Sequence, residues 1–179
     1  MKALFLDRDG VVNEDTGYAH DPSSLILVEG IIELITFFQK KSFLILVVSN
    51  QSGIGREIYG EEDWLRFNSA INSELIKRGC KIDRFYFCPH LPYSETKKRC
   101  NCRKPATGML DKARSEFKID YNKSILVGDR ETDILAAYNA GLSRAYFFCK
   151  SPTTEIQLSN FNVQKVSNLK EIIKIENDI

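Results

Sequence analysis

Three acidic side chains could together hold a divalent cation. Asp7 and Asp9 are two residues apart, so an extended backbone points both carboxylates to the same side. Asp129 is distant in the chain but also follows a short apolar run. Clustered carboxylates repel one another unless a cation or a shared proton relieves them. Mg²⁺ suits such a cluster because it takes oxygen ligands and joins a few carboxylates to a substrate phosphate.

A second group of side chains has the chemistry of a zinc site. Cys88 and His90 form one pair and Cys100 and Cys102 form another, each with one residue between the two ligands. Both pairs therefore present their side chains on one side of an extended backbone. Four such ligands suit tetrahedral Zn²⁺ and leave no position open for water, which indicates a structural site. We call residues 88–102 the Cys/His loop.

Short apolar runs alternate with helical patterns, which predicts a parallel sheet covered by helices on both faces. The predicted strands are Ala3–Leu6, Phe43–Val48, Arg84–Phe87, Ser124–Val127 and Arg144–Phe148. The predicted helices are Gly30–Lys41, one that follows Gly60 and ends at Gly79, Met109–Phe117, Thr132–Ala140 and a short helix after Asn168; Ser151–Asn160 is predicted to be a surface loop. The acidic residues follow strands, and the ligand crevice of such a sheet lies beyond the carboxyl ends of its strands.

These elements predict an α/β fold, a Rossmann-like three-layer sandwich with a mainly parallel central sheet and a zinc-binding loop. A chain of 179 residues is expected to form a single domain, 1–179. Helices, strands and the Cys/His loop fill the intervals between the polar strand ends, which leaves no room for a separate cap domain. The cleft should therefore be open to a large substrate.

Composition restricts the partners of the chain. The 25 basic and 24 acidic residues nearly cancel, so we expect neither nucleic acid nor a membrane surface as a partner. Asp7 interrupts any signal-peptide core, and no apolar run is long enough to span a bilayer. Five cysteines suit a reducing compartment better than a disulfide framework, with Cys80 and Cys149 as buried thiols. We expect a cytoplasmic monomer that acts on a small phosphorylated molecule.

Four ordered motifs resemble those of haloacid dehalogenase superfamily phosphatases. They are Asp7-Arg8-Asp9-Gly10-Val11, Ser49, Arg103-Lys104-Pro105, and Gly128-Asp129 with Asp133. The resemblance implies a Mg²⁺-dependent phosphatase in which Asp7 attacks phosphorus and becomes transiently phosphorylated. It implies that Asp9 exchanges protons with the leaving group and with water, and offers its backbone carbonyl to the metal. Ser49 and Lys104 would contact the transferring phosphoryl group, and Asp129 would hold Mg²⁺.

Two questions about single residues stay open in the sequence. Asp133 lies one helical turn after Asp129, where it either supports that metal ligand or caps the helix. His20 is either a loop residue near the substrate or a plain surface histidine, and we favour the second.

A second resemblance narrows the family. Its residues are Cys88-Pro89-His90, Cys100-Asn101-Cys102-Arg103-Lys104-Pro105, the stretch Asp7 to Asn13, and Gly17-Tyr18. They resemble the phosphatases that remove the 7-phosphate of D-glycero-D-manno-heptose 1,7-bisphosphate. Histidinol-phosphate phosphatases share the zinc loop and the catalytic motifs and are the alternative, but the stretch from Asn13 to Tyr18 favours the heptose enzymes. A DNA 3′-phosphatase or a non-catalytic zinc-stabilised binding module agrees less well with the intact catalytic motifs and the lack of a basic balance.

Further residues are candidates for binding the substrate. The full set is Ser49, Asn50, Arg56, Arg103 and Lys104. Arginine is suited to a second phosphate because its planar fork binds bidentately, which adds Arg130. A solvated surface arginine is the simpler interpretation of Arg56 and Arg130, whereas Arg103 lies between a zinc ligand and Lys104. The sequence does not determine the anomer of a heptose substrate.

Overall fold

The centre of the fold is a sheet of parallel strands. The computed structural model describes residues 1–149 and 161–178. The strand order in the described part is β3-β2-β1-β4-β5-β6, and every neighbouring pair is parallel. The strands are β1 (Lys2–Leu6), β2 (Phe43–Asn50), β3 (Arg84–Cys88), β4 (Ile125–Gly128), β5 (Arg144–Phe148) and β6 (Asn162–Val166).

Helices cover both faces of this sheet. They are α1 (Ile31–Lys40), α2 (Ser52–Gly55), α3 (Glu61–Lys77), α4 (Tyr93–Thr96), α5 (Gly108–Phe117), α6 (Glu131–Ala140) and α7 (Leu169–Asn177). Apolar residues of α1, α3 and α7 belong to one buried cluster, and those of α5 and α6 belong to another. Among residues 1–149 and 161–178, no helix has the length and apolar character that crossing a membrane requires.

The apolar runs are continuous because both faces of the central strands are buried. In β1, Leu4 and Leu6 belong to the cluster under α1, whereas Ala3 and Phe5 belong to the cluster under α5 and α6. All four side chains are fully buried. Successive residues of a strand point to opposite faces, so a strand covered on both sides needs apolar residues at every position.

The structure confirms the three-layer fold predicted from the sequence, and the described part contains no separate cap domain. The five predicted strands and the predicted helices are all present, with ends within two residues of those expected. One strand was missed. The edge strand β6 (Asn162–Val166) is polar and only partly buried, so its sequence lacks the apolar run of a central strand. The predicted loop Ser151–Asn160 lies outside the described residues.

Candidate active site

Adjacent strands bring two of the predicted acidic residues together. The strand order reverses at β1, which has β2 on one side and β4 on the other, and such a reversal opens a crevice at the carboxyl ends. Asp7 directly follows β1 and Asp129 directly follows β4, and the Asp7 N–H donates to Val127 O at 2.9 Å. Gly10 permits this approach, since it has φ +88° and a Cβ there would lie 2.2 Å from Asp129 Oδ2.

A buried ammonium group connects these strands to a helix. Lys104 is 3% exposed, and its Nζ lies 2.8 Å from Asp7 Oδ1, 2.6 Å from Asp133 Oδ1 and 2.7 Å from Val48 O. Asp133 is also buried, and its Oδ2 accepts a hydrogen bond from Arg130 N at 3.0 Å. Asp133 therefore caps the start of α6, one of the two alternatives left open by the sequence, and also fixes Lys104.

The charges of this cluster do not balance. Ligand oxygens of Asp7, Asp129 and Asp133 lie within 4.8 Å of one another, and Lys104 is the ammonium that pairs with two of them. Burial, followed by the negative charges of Asp7 and Asp133, raises the pKa of Asp129 to about 8. Burial is also the main cause that raises the pKa of Asp7. Simultaneous ionisation of all three carboxyl groups is therefore unfavourable.

The same cluster fits a divalent cation. Asp129 Oδ1 is buried and has no hydrogen-bond partner among the described residues, so it is an orphaned oxygen of a carboxylate that belongs to the acidic cluster. Burial alone would lower the pKa of Lys104, but the charges of Asp133 and Asp7 outweigh burial and raise it. Lys104 thus remains a cation, and three carboxylates against one ammonium leave a net negative charge for a metal of the Mg²⁺ type.

The Asp9 side chain lies apart from this cluster. The sequence placed both carboxylates on one side of an extended strand, but β1 ends at Leu6 and the chain turns before Asp9. The Asp9 carboxylate instead accepts hydrogen bonds from Arg8, Asn13 and Gln51. Arg8 itself is fully buried over the ring of Phe67.

The end of β2 supplies three consecutive polar side chains. Ser49 is buried, and its Oγ accepts a hydrogen bond from Gln51 Nε2 at 2.7 Å. The Asn50 carboxamide pairs with the backbone of Lys104, with Nδ2 3.1 Å from Lys104 O and Oδ1 3.0 Å from Lys104 N. The sequence reasoning missed Gln51. It lies directly after β2, which ends at Asn50, so no strand period fixes the direction of its side chain, and only its burial shows its contacts.

These groups open into a cleft of about 920 Å³. Its lining includes Asp7, Asp9, Asn50, Arg103, Lys104, Arg130 and Asp133, and also Tyr18, Lys98 and Arg99, which the sequence analysis did not select. Arg56 is absent from the described lining and pairs with Glu95 at 2.6 Å, which joins α2 to α4. His20 is also outside the lining and stacks on Tyr59 with ring centroids 4.9 Å apart.

The Cys/His loop brings its four predicted ligands together at the same edge of the sheet. The Cys88 Sγ atom lies 3.7 Å from Cys100 Sγ and 3.0 Å from Cys102 Sγ, and His90 Nδ1 lies 3.2 Å from Cys102 Sγ. Zn–S bonds of about 2.3 Å in a tetrahedron separate two sulfurs by about 3.8 Å, so the set fits Zn²⁺ with small adjustments. Arg103 Nη1 donates to His90 O at 3.0 Å and ties this loop to the segment of Lys104.

The two remaining cysteines lie away from this site. Cys80 is buried as expected, whereas Cys149 is only partly buried.

Comparisons with known proteins agree with this geometry. The family profile described as HAD-hydrolase-like (Hydrolase_like) matches residues 101–146. The D-glycero-alpha-D-manno-heptose-1,7-bisphosphate 7-phosphatase of Campylobacter jejuni is 38% identical over 99% of this chain and 98% of its own. The D-glycero-beta-D-manno-heptose-1,7-bisphosphate 7-phosphatase of Photorhabdus laumondii is 36% identical over 97% of this chain and 96% of its own.

A solved structure shares the whole fold. The D,D-heptose 1,7-bisphosphate phosphatase of B. bronchiseptica, complexed with magnesium and phosphate, has a TM-score of 0.86 and 25% identity, with both chains fully covered. Identity above one third over nearly the full length of two curated relatives shows the family directly. The chain therefore belongs to the D-glycero-D-manno-heptose-1,7-bisphosphate 7-phosphatase family of HAD-like hydrolases.

Proposed function

We propose that the chain removes the 7-phosphate of D-glycero-D-manno-heptose 1,7-bisphosphate through an aspartyl-phosphate on Asp7. The observation that carries this proposal is the buried Asp7 carboxylate at the cleft floor, held by Lys104 and next to the unpartnered oxygen of Asp129. The names of the Campylobacter and Photorhabdus relatives support the choice of substrate. They differ in the anomer, so the proposal covers both.

Asp7 is oriented for attack on phosphorus. Lys104 Nζ and Arg8 N both donate to Asp7 Oδ1 at 2.8 Å, which fixes the direction of the other carboxylate oxygen. The charge of Lys104 also favours the ionised Asp7 and would attract the equatorial oxygens of the transferring group. Ser49 Oγ, near the carboxyl end of β2, would donate to one of those oxygens.

Asp9 would give a proton to the leaving alkoxide and later take one from the attacking water. Asp7, Asp129 and the backbone carbonyl of Asp9 would hold Mg²⁺, whose chemistry at this position is to neutralise phosphoryl charge. Asp133 would hold Lys104 and α6 in place. Cys88, His90, Cys100 and Cys102 would hold a structural Zn²⁺ that orders the rim of the cleft.

The rim of the cleft favours a bisphosphate over histidinol phosphate. Lys98, Arg99 and Arg103 all line the cleft on the side of the Cys/His loop. Three cations suit a second phosphate but would repel the ammonium group of histidinol. Arg130 also lines the cleft, although its Nη2 donates to Asp15 Oδ2 at 2.9 Å. We assign Arg56 to the contact between α2 and α4 and not to the substrate.

The test is a side-by-side measurement of kcat/KM on both anomers of heptose 1,7-bisphosphate, histidinol phosphate and a 3′-phosphorylated oligonucleotide. We expect a heptose bisphosphate to be preferred by at least about a hundredfold, equivalent to nearly 3 kcal/mol. Activity should disappear with a chelator that removes Mg²⁺ and return when Mg²⁺ is added. Preference for histidinol phosphate or for the oligonucleotide would reject the proposed substrate.

A further inference from the structure

The Asp9 carboxylate is surrounded by hydrogen-bond donors from three side chains. Arg8 Nη2 lies 2.9 Å from Oδ1 and 3.0 Å from Oδ2, Asn13 Nδ2 lies 3.0 Å from Oδ1, and Gln51 Nε2 lies 2.8 Å from Oδ2. The Asp9 side chain keeps 20% of its surface exposed, and Asp9 lines the cleft. Its orientation is therefore fixed while one side remains open to a substrate.

Gln51 differs from the other two donors because it connects Asp9 to a second group of the site. Its Nε2 donates to Asp9 Oδ2 and also to Ser49 Oγ at 2.7 Å, so both amide hydrogens are used. Gln51 is 2% exposed and cannot exchange these partners for water. One buried carboxamide thus sets the distance between Asp9 and Ser49.

Tyr59 fixes which end of that carboxamide faces Asp9. The Tyr59 hydroxyl donates to Gln51 Oε1 at 2.5 Å, and burial raises the pKa of Tyr59 to about 12, so the hydroxyl keeps its proton. A flipped amide would place Oε1 against the Asp9 carboxylate and lose this bond. The Tyr59 ring is itself confined, because a Cβ on Gly53 would lie 2.1 Å from Tyr59 Cε1.

We propose that Gln51, fixed by Tyr59, is a positioning residue that aims the Asp9 carboxyl at the leaving oxygen of the substrate. The proposal rests on the role given to Asp9 under the proposed function. In that step an Asp7 carboxylate oxygen forms a bond to phosphorus as the P–O bond to the leaving group breaks. The leaving oxygen keeps the bonding electron pair, and the Asp9 proton passes to that oxygen. A misplaced acid slows this transfer, since errors of about 1 Å cost on the order of a hundredfold.

The need for a proton depends on the leaving group, which provides the test. Phenyl phosphate and 4-nitrophenyl phosphate have nearly the same shape, but nitrophenolate departs readily without a proton and phenolate gains more from one. For each, kcat/KM reports phosphoryl transfer to Asp7 and excludes the later hydrolysis of the aspartyl-phosphate. A defect in aiming Asp9 should therefore affect phenyl phosphate more.

We expect Gln51→Met to lower kcat/KM on phenyl phosphate by roughly tenfold to a hundredfold, and on 4-nitrophenyl phosphate by less than about threefold. Tyr59→Phe, which removes one hydroxyl, should also lower kcat/KM more on phenyl phosphate than on 4-nitrophenyl phosphate, but by a smaller factor. The matched controls are Gln39→Met in α1 and Tyr138→Phe in α6, both outside the lining of the cleft. Neither control should change kcat/KM on either aryl phosphate.

Coupling to Asp9 separates positioning from a general structural defect. In an Asp9→Asn background, Gln51→Met should cause little further loss on phenyl phosphate, because the group that it aims is already absent. Equal losses on the two substrates, no loss on either, or full additivity with Asp9→Asn would each overturn the inference. A wild-type protein that hydrolyses neither aryl phosphate nor heptose 1,7-bisphosphate would instead reject the phosphatase assignment itself, and this inference with it.

Discussion

Single residues of the site combine structural contacts with the chemical roles proposed for them. Lys104 is buried between Asp7 and Asp133, and its removal would leave two buried carboxylates without their cation. Uncompensated buried charge is strongly destabilising, typically by about 3–5 kcal/mol. Lys104 is therefore a poor residue for testing its proposed catalytic role, because its loss would also change stability. Asp7 is a better one.

Asp7→Asn should abolish turnover and leave the fold nearly intact. The amide is almost the same shape and its oxygen can still accept from Lys104, but it cannot attack phosphorus. We expect kcat to fall by at least about a thousandfold, equivalent to roughly 4 kcal/mol of barrier. Steady-state kinetics with saturating Mg²⁺ measure this, and thermal unfolding checks the fold. Near-wild-type turnover in a clean preparation would contradict the aspartyl-phosphate intermediate.

Two arginines that the sequence offered for substrate binding should behave differently. Arg103 lines the cleft, whereas Arg56 pairs with Glu95 outside the described lining. We expect Arg103→Gln to raise KM for heptose 1,7-bisphosphate by about tenfold or more with a smaller change in kcat, since a charge-assisted bond contributes about 1.5–3 kcal/mol. Arg56→Gln is the matched control and should leave KM within about twofold. A larger rise in KM for Arg56→Gln than for Arg103→Gln would contradict the assignment of Arg103 to the second phosphate.

Elements with a regular hydrophobic period were predictable from the sequence. The run Trp64, Phe67, Ile71 and Leu75 has the spacing of one helix face, and these residues form the buried side of α3. β6 was not predictable because a polar edge strand has no such period. Asn13 was noticed only as part of a motif, and its contact with Asp9 depends on a turn that no strand period describes.

The candidate site was predictable where the residue type restricts the chemistry. The two pairs of predicted ligands in the Cys/His loop have side chains of types that bind zinc, and their spacing predicted that all four would lie together. The structure brings these four side chains together. Gln51 and Arg8 lacked such a signal, because amides and arginines are common surface residues and only burial shows their contacts. The separation of the Asp9 carboxylate from the acidic cluster was not predicted, because the apolar run that ends β1 at Leu6 does not describe the backbone between Leu6 and Asp9.

The Cys/His loop should depend on its metal. Thiolates bind only when deprotonated, and metal affinity becomes folding energy where a loop has little apolar core of its own. Cys100→Ser should therefore remove Zn²⁺, loosen this loop and raise KM for heptose 1,7-bisphosphate. Its kcat/KM on 4-nitrophenyl phosphate should fall less than its kcat/KM on heptose 1,7-bisphosphate. Elemental analysis together with kinetics on both substrates measures the effect.

Cys80→Ser is the matched control for this variant, since Cys80 lies outside the four-ligand cluster. It should keep stoichiometric Zn²⁺ and the substrate preference, whatever its effect on stability. Wild-type protein purified without chelator that contains no Zn²⁺, or equal losses of Cys100→Ser on the two substrates, would contradict the proposed role of the metal in recognition.

At the scale of the whole molecule, the acidic cluster lies where the strand order of the sheet reverses. The stability of the fold should therefore depend on the charge of the cluster. Asp7 follows β1 and Asp129 follows β4, the two strands that join the halves of the sheet. Repulsion between these carboxylates therefore acts across the centre of the fold. A bound cation removes the repulsion, and any ligand that binds only the native state also stabilises it by mass action.

This linkage gives a pH dependence with a definite sign. The pKa of Asp129 is raised to about 8 in the metal-free fold, so the native state holds a proton that the unfolded chain has already lost. Stability falls with rising pH wherever the native state binds more protons. The contribution of Asp129 should thus decrease from about pH 4 to about pH 8, and level off above that.

Thermal unfolding at pH 6 and pH 8, in chelator and in excess Mg²⁺, measures this effect in the wild type and in Asp129→Asn. The variant lacks the titrating carboxyl, so in chelator its melting temperature should fall less between pH 6 and pH 8 than that of the wild type. The difference between the two falls should be a few degrees, since each 1 kcal/mol of stability shifts the melting temperature by roughly 2–4 °C. Mg²⁺ at about one hundred times its Kd should stabilise the wild type by about 2.7 kcal/mol and the variant by much less. The difference between the two proteins removes the contribution of groups that titrate elsewhere in the fold. Equal pH slopes and equal Mg²⁺ shifts in the two proteins would contradict the place of Asp129 in the metal site.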